Sequence, residues 1–281
     1  MMPSGAARVA GVAGWPISHS LSPRLMSMWI AERGIDAVYA PLAIGPENPK
    51  SALRAMAKTS MTGLNITLPY KVDALAIADE ATPAARAIGA ANLLTFSNGV
   101  IRADNTDGIG FLSALRPAGL AFPEITALVL GAGGAARALV QALMSSGVGH
   151  IILANRSAAK AESLASDLAP QAEIIDWNDR SEALGRSHLV VNATSLGLNG
   201  KGTLGLDWHR SDVAKTVFDS VYTPLRTEFL DQAARQGHRT IDGLDMLIGQ
   251  ARPSFEAFFG VSAPEHLDVR GALMATLEAR R

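Results

Sequence analysis

An α/β fold in two domains is what the sequence predicts, and three features lead there. Short apolar runs alternate with helix-period segments through most of the chain, the pattern of parallel strands joined by crossover helices. At 281 residues the chain exceeds a typical single domain. A glycine-spaced turn at Gly131 then opens a second α/β series in mid-chain.

Taken in order, the early strands are expected at Arg8–Ala13, Ala37–Ile44 and Gly63–Leu68. A helix follows the first, with Ser22 as its cap, Pro23 at the first helical position and Gly34 ending it. Leu25, Met28, Trp29 and the residues around them supply its buried stripe. Ala91–Phe96, Asn98-Gly99 and Val100–Ala103 read as a hairpin, because an Asn-Gly pair between apolar runs is a strong turn signal. A helix at Gly108–Leu115 leads through Pro117 and Pro123 to a strand at Ile125–Leu130. Later strands are expected at His150–Ala154, Glu173–Ile175, Leu189–Val191 and Thr216–Phe218, with helices at Ala135–Ser145 and Ala158–Leu168. From Gly243 onward the pattern is helical, with Pro253 kinking it. The division is residues 1–107 with 244–281 as one discontinuous domain, and 108–243 as the other.

Composition narrows the function. Twenty-five basic side chains stand against 26 acidic ones, which offers no electrostatic footprint for nucleic acid or an anionic membrane. A small-molecule partner is expected instead. There is no cysteine, so disulfides, thiolate metal sites and cysteine nucleophiles are excluded. The six histidines are scattered without metal-ligand spacing, and no metal is expected. The opening residues lack the charged and apolar regions of a signal peptide. The longest uncharged stretches, such as Ala138–Asn155, are broken by Gln, Ser, Gly and His and read as helix, turn and strand rather than a membrane span.

The segment Gly131-Ala132-Gly133-Gly134-Ala135-Ala136-Arg137 follows a strand and opens a helix. Its Gly131-x-Gly133-x-x-Ala136 spacing matches the dinucleotide fingerprint of a Rossmann-type domain. The first glycine makes the turn, the second admits pyrophosphate, and the helix N-terminus offers unpaired N–H groups. NAD enzymes place a carboxylate at the end of the second strand to hold the ribose 2′-hydroxyl. Here that strand ends in Asn155-Arg156-Ser157, with Lys160 one turn later. A cationic pocket there suits the 2′-phosphate of NADP.

Four polar clusters sit where loops leave the first domain's strands: Ser18–Pro23, Asn65–Lys71, Gly89–Asn92 and Asp104–Gly108. Singly, each reads as helix capping or local backbone bonding. Together they resemble the shikimate dehydrogenase family, through Ser-x-Ser-Pro, Asn-x-Thr-x-Pro-x-Lys, Asp-Asn-Thr-Asp-Gly and Gly-Ala-Gly-Gly-Ala. The likeness continues in Asn155-Arg156-Ser157, Asn192-Ala-Thr-Ser195, Tyr222-Thr-Pro-Leu and Asp242-Gly-Leu with Gln250 downstream, so it spans nearly the whole chain.

The resemblance implies NADPH-dependent reduction of 3-dehydroshikimate in aromatic amino-acid biosynthesis by a cytoplasmic monomer or homodimer. Lys71 and Asp107 match the catalytic pair. Ser20, Ser22 and Tyr222 would hold the substrate carboxylate, and Thr67, Asn92, Asp107 and Gln250 the ring hydroxyls. Gly131 to Arg137, Asn155, Arg156, Ser157, Lys160, Ser195, Ser220 and Gly243 fall on the cofactor positions. The family fold also implies that the C-terminal helices return to the first domain. Three positions depart from the pattern: Gly-Ala-Ala-Asn-Leu around Asn92, Ser220 where some members carry methionine, and Asp245 where glycine is frequent. His19, between two serines, is given a structural role. Lys71 as an ammonium would polarise the ketone and donate a proton, with Asp107 orienting it. The alternatives are an NAD-linked quinate/shikimate dehydrogenase and a non-catalytic ligand sensor on the same fold.

Overall fold

The computed structural model describes residues 2–210 and 213–279. Met1, Arg280 and Arg281, the outer ends of the expected first domain, lie outside that range. The chain divides into two compact units: one runs to Thr106 and resumes at Ile248–Thr276, and the other takes Asp107–Leu247 with the described residues 277–279.

In the first unit β1 (Arg8–Gly14), α1 (Ser22–Arg33), β2 (Ala37–Ala43), α2 (Pro49–Met56) and β3 (Met61–Ile66) come first. Then follow α3 (Lys71–Ile77), β4 (Glu80–Ala81), α4 (Pro83–Ile88), β5 (Leu93–Ser97) and β6 (Val100–Asp104). The strands form one mixed sheet in the order β2-β1-β3-β5-β6-β4. β1 pairs in parallel with β2 and β3, whereas β5 is antiparallel to both β3 and β6. The β5–β6 hairpin turns on Asn98 (φ 51°) and Gly99 (φ 78°), both in the left-handed region that a two-residue turn of this kind requires.

Several expectations shift here. The strand expected at Gly63–Leu68 lies two residues earlier, ending before the Leu68–Pro69 bond, where proline has no N–H for a ladder. Ser22 does not cap α1 but is its first residue. The Ser22 N–H donates instead to Ser20 Oγ at 3.3 Å, and Gly34 closes the helix in the left-handed conformation. Met26 and Ile30 lie with Leu25 and Trp29 in the buried stripe, while Met28 is only half-buried.

The second unit contains α5 (Asp107–Leu115), β7 (Thr126–Leu130), α6 (Gly134–Ser145), β8 (His150–Ala154), α7 (Ala158–Leu168) and β9 (Glu173–Ile175). It continues with α8 (Arg180–Gly185), β10 (Leu189–Asn192), β11 (Thr216–Asp219), α9 (Glu228–Arg235) and β12 (Arg239–Ile241). Its sheet is wholly parallel, in the order β12-β11-β10-β7-β8-β9. β10 and β11 are buried along their full length, as strands covered on both faces must be, which explains their unbroken apolar runs. The order reverses between β7 and β10, and the crevice beyond the strand ends at such a switch point is where open α/β sheets take ligands.

The last helices are α10 (Gly243–Phe259) and α11 (Val269–Glu278). α10 runs through Pro253 as one helix, where a kink is expected from sequence. From Ile248 the segment belongs to the first unit. Phe255 packs edge-on against Trp29, with centroids 5.5 Å apart, and Phe258 lies 6.2 Å from Tyr39. Arg8 donates to the Phe259 carbonyl.

Candidate active site

In the first unit the polar residues gather on one edge of the sheet. β1, β3 and β6 run the same way, so their C-terminal ends share that edge with the start of the antiparallel β5. The edge therefore collects the loop to Ser20, the segment Thr67–Lys71, Asn92 and Asp104–Thr106. Thr67 donates its N–H to the Ala13 carbonyl at 2.9 Å, and the Lys71 carbonyl accepts from Ala91 at 2.8 Å. Lys71, the first residue of α3, is half-buried.

Asn92 is buried and accepts the Thr106 N–H at 2.8 Å. Its amide nitrogen lies 3.1 Å from Thr106 Oγ1 and, at the limit of hydrogen-bonding reach, 3.5 Å from Gln250 Oε1. Thr106 Oγ1 also stands 3.4 Å from Gln250 Oε1. Asn92 and Gln250, both expected from sequence, are thus brought together with Thr106, which sequence reasoning placed in its motif without a role. Asn65 braces the same edge from beneath. Its Oδ1 accepts the Tyr39 hydroxyl at 2.8 Å, and its Nδ2 donates to Ser254 Oγ at 2.8 Å and the Asn92 carbonyl at 3.2 Å. Burial holds the Tyr39 phenol well above its ordinary pKa, so it stays a neutral donor. Both faces of Asn65 are occupied, which makes it scaffold rather than ligand contact. No side-chain bond joins Ser20 and Ser22 to this cluster; Ser20 is half-buried, Ser22 buried and His19 exposed.

In the second unit Asp107 opens α5 and is buried. The dinucleotide turn is built as the spacing requires. Gly131 has φ 114°, and a Cβ there would sit 3.0 Å from the Ala193 carbonyl oxygen. Gly133 and Gly134 face open space. No side chain caps α6 at Gly133, so its first N–H groups remain available to a phosphate. Arg137 is ion-paired to Asp167 at 3.0 Å. At the end of β8, Asn155 Nδ2 donates to the Ser157 carbonyl at 2.8 Å and shapes the loop. Arg156 and Lys160 are exposed, with no ion pair among the described residues. The residues present fit a dinucleotide carrying an additional phosphate. Ser195 and Ser220 follow β10 and β11 at the same edge, Tyr222 is half-buried, and the Gly243 N–H lies 3.4 Å from the Val221 carbonyl. Among the described residues no acidic or histidine cluster could hold a metal ion, and no helix is long and apolar enough to cross a membrane.

Residues 12–94 match the model for the shikimate dehydrogenase substrate binding domain, and residues 117–198 that for shikimate / quinate 5-dehydrogenase. The shikimate dehydrogenase (NADP(+)) of Maricaulis maris is 51% identical over 280 residues, covering 100% of both chains. Among solved structures, shikimate dehydrogenase from Aquifex aeolicus aligns with a TM-score of 0.87 at 33% identity, covering 94% of this chain and 96% of that one. Shikimate 5-dehydrogenase from Thermus thermophilus, in complex with NADP(H) and shikimate, aligns at 0.84 and 31% identity over 97% of this chain and 99% of that one. With two domain models matched in order and a relative this similar end to end, the chain belongs to the shikimate dehydrogenase family.

Proposed function

We propose that the chain is an NADP-dependent shikimate dehydrogenase, interconverting 3-dehydroshikimate and shikimate, and that the first unit binds the substrate while the second binds NADP. The observation that carries this is the polar edge of the first unit. A lysine stands there with Thr67, Asn92 and Gln250, neutral groups that can both donate and accept and so suit a polyhydroxylated ring. Bound NADPH supplies the hydride. Lys71 holds the ketone oxygen through its ammonium and delivers the proton as the alkoxide develops. Asp107 orients Lys71 and accepts from a ring hydroxyl. Ser20, Ser22 and Tyr222 take the carboxylate, and Thr67, Asn92 and Gln250 the remaining hydroxyls; a site that pairs each hydroxyl rejects analogues lacking one.

On the cofactor side, the α6 N-terminus takes the pyrophosphate, and Arg156 with Lys160 takes the 2′-phosphate. Ser195, Ser220 and Gly243 line the nicotinamide end. The enzyme acts on small molecules alone, in the cytoplasm, as a monomer or homodimer. The test is a spectrophotometric assay following NADPH consumption with 3-dehydroshikimate. Turnover that disappears in Lys71→Met supports the reading, and a wild-type protein that binds both ligands without turnover would make it a sensor.

A further inference from the structure

At the edge of the second sheet a single carboxylate ties together the loops on which the cofactor's reactive end depends. Asp219, the last residue of β11, is fully buried. Its Oδ1 accepts the Val221 N–H at 2.9 Å and the Asn192 side-chain amide at 2.8 Å, and its Oδ2 accepts the Thr227 hydroxyl at 2.6 Å. Each donor fixes something further. Asn192 ends β10; its Oδ1 accepts the Thr194 N–H at 3.0 Å and hydroxyl at 2.7 Å, and its Nδ2 also donates to the Leu196 carbonyl at 3.1 Å. Ser195 lies inside that turn. Val221 is flanked by Ser220 and Tyr222, and its carbonyl faces the Gly243 N–H. Thr227 Oγ1 also accepts from Leu230 at 3.3 Å and so caps α9.

We propose that Asp219 is a positioning residue for the reaction, holding the Ser195 turn and the Ser220–Tyr222 loop in register at the sheet edge. This rests on the proposed function, in which those residues meet the nicotinamide end and the substrate carboxylate. The choice of side chain follows from the partners. Three donors converge on it, which suits an ionised carboxylate, an acceptor-only group, better than any other side chain of that size. Burial pushes the Asp219 carboxyl up to about 6, its hydrogen bonds from Thr227, Val221 and Asn192 pull it back, and the Asp242 carboxylate raises it further. Its three hydrogen-bond partners are uncharged. Above that pH the network is closed. Below it one oxygen carries a proton, and the Thr227 hydroxyl must turn from donor to acceptor to receive it.

The test compares Asp219→Ala, Asp219→Asn and Thr227→Val with wild type in NADP-linked oxidation of shikimate, with NADP and NAD titrations and thermal unfolding alongside. Asp219→Ala leaves buried donors unpaired and is expected to lower kcat/KM by about tenfold to a hundredfold. The ratio of NADP to NAD affinity, which reads the distant Arg156 end, should not move. Asp219→Asn keeps one acceptor oxygen and is expected to recover activity to within about threefold, without the acid limb expected of wild type where the Asp219 carboxyl titrates near pH 6. Thr227→Val removes one donor that stabilises the carboxylate, so its acid limb should move to higher pH. A folded Asp219→Ala with normal kcat/KM and a lowered melting temperature would reduce Asp219 to a structural role. Should that variant fail to fold, acid limbs unmoved in both Asp219→Asn and Thr227→Val would overturn the proposal. A wild type inert toward shikimate would instead sink the proposed function, and is seen before any variant is made.

Discussion

The first unit's sheet is mixed and the second's is wholly parallel, and the difference reaches the chemistry at their edges. In the mixed sheet the antiparallel β5–β6 hairpin brings a strand start and a strand end to the same edge as the ends of β1 and β3. That edge is furnished with side chains: Asn92, Thr106 and Gln250 bonded to one another, and Asn65 locked beneath them. In the parallel sheet side chains of Asn192, Asp219 and Thr227 brace the loops after β10 and β11, but the turn from β7 into α6 is largely backbone, with glycines that leave space and a helix that leaves N–H groups unpaired. A substrate whose hydroxyls must be told apart calls for the first kind of surface. A cofactor held by its phosphates is served by the second.

The sharpest way to separate the two is to remove the proposed acid. Lys71→Met should lower kcat by about 10²–10⁴-fold, the usual worth of a general acid. NADP affinity, measured by titration, should stay near wild type, since Lys71 lies in the other unit. Near-normal kcat would assign the acid elsewhere.

Cofactor choice comes next in size. A charge-assisted hydrogen bond contributes roughly 1.5–3 kcal/mol, so Arg156→Ala should weaken NADP by about tenfold to a hundredfold. NAD, lacking the 2′-phosphate, should be almost unaffected. Equal losses in paired titrations would make Arg156 a support for the loop.

Two glycines sharpen the claim that the turn from β7 into α6 is largely backbone. Gly131→Ala forces a side chain onto φ 114° against the Ala193 carbonyl and should cost roughly 1–3 kcal/mol of stability in denaturant unfolding. At Gly133 a Cβ meets nothing within 4 Å, so Gly133→Ala should change stability by less than about 0.5 kcal/mol. It should nonetheless weaken NADP, because that glycine is where the pyrophosphate approaches. Undiminished NADP binding in Gly133→Ala would break the assignment.

The smallest effect is a pH dependence within the second unit. His238 is buried against Trp208, its ring centroid 5.2 Å away, and neither ring nitrogen has a hydrogen-bond partner. Burial, and then the Lys215 ammonium, lower its pKa. The unfolded chain therefore binds the proton more readily, and stability falls as pH drops through the ordinary histidine value of about 6.5. Asp219 has the opposite sign. Its raised pKa gives stability that is present below the unfolded carboxyl value and lost as pH rises through about 6. Melting temperatures between pH 5 and 8 should fall less steeply on the acid side in His238→Phe than in wild type. Identical slopes would show that His238 titrates normally.

The second unit was the more legible in sequence, for a physical reason. Its central strands are buried on both faces and read as apolar runs, so β8 falls where expected; the half-exposed edge strand β9 and helix α7 fall where expected as well. Its glycine turn is a local motif, complete within seven residues. What escaped were the short elements, α8, α9 and β12, whose few residues show no full helical or strand period. In the first unit α2, α3, α4 and β4 escaped likewise, although Thr82 accepting from Ala85 at 3.2 Å before Pro83 is a capping signal open to local reading. The pairing of Asn92 with Gln250 was beyond any pattern. The two are 158 residues apart, and only the return of α10 places them together.

That return also fixes a sequence of events during synthesis. The second unit is almost entirely one continuous stretch, Asp107–Leu247, and every strand of its sheet precedes α10 in the chain and emerges before it. The first unit must wait, although it is translated first, because Gln250, Ser254 and Phe255 still have to arrive. Contacts of such long sequence separation form late and slowly. A growing chain can thus possess a finished nucleotide turn while its polar edge lacks a wall, and the power to recognise a substrate is the last thing the molecule acquires.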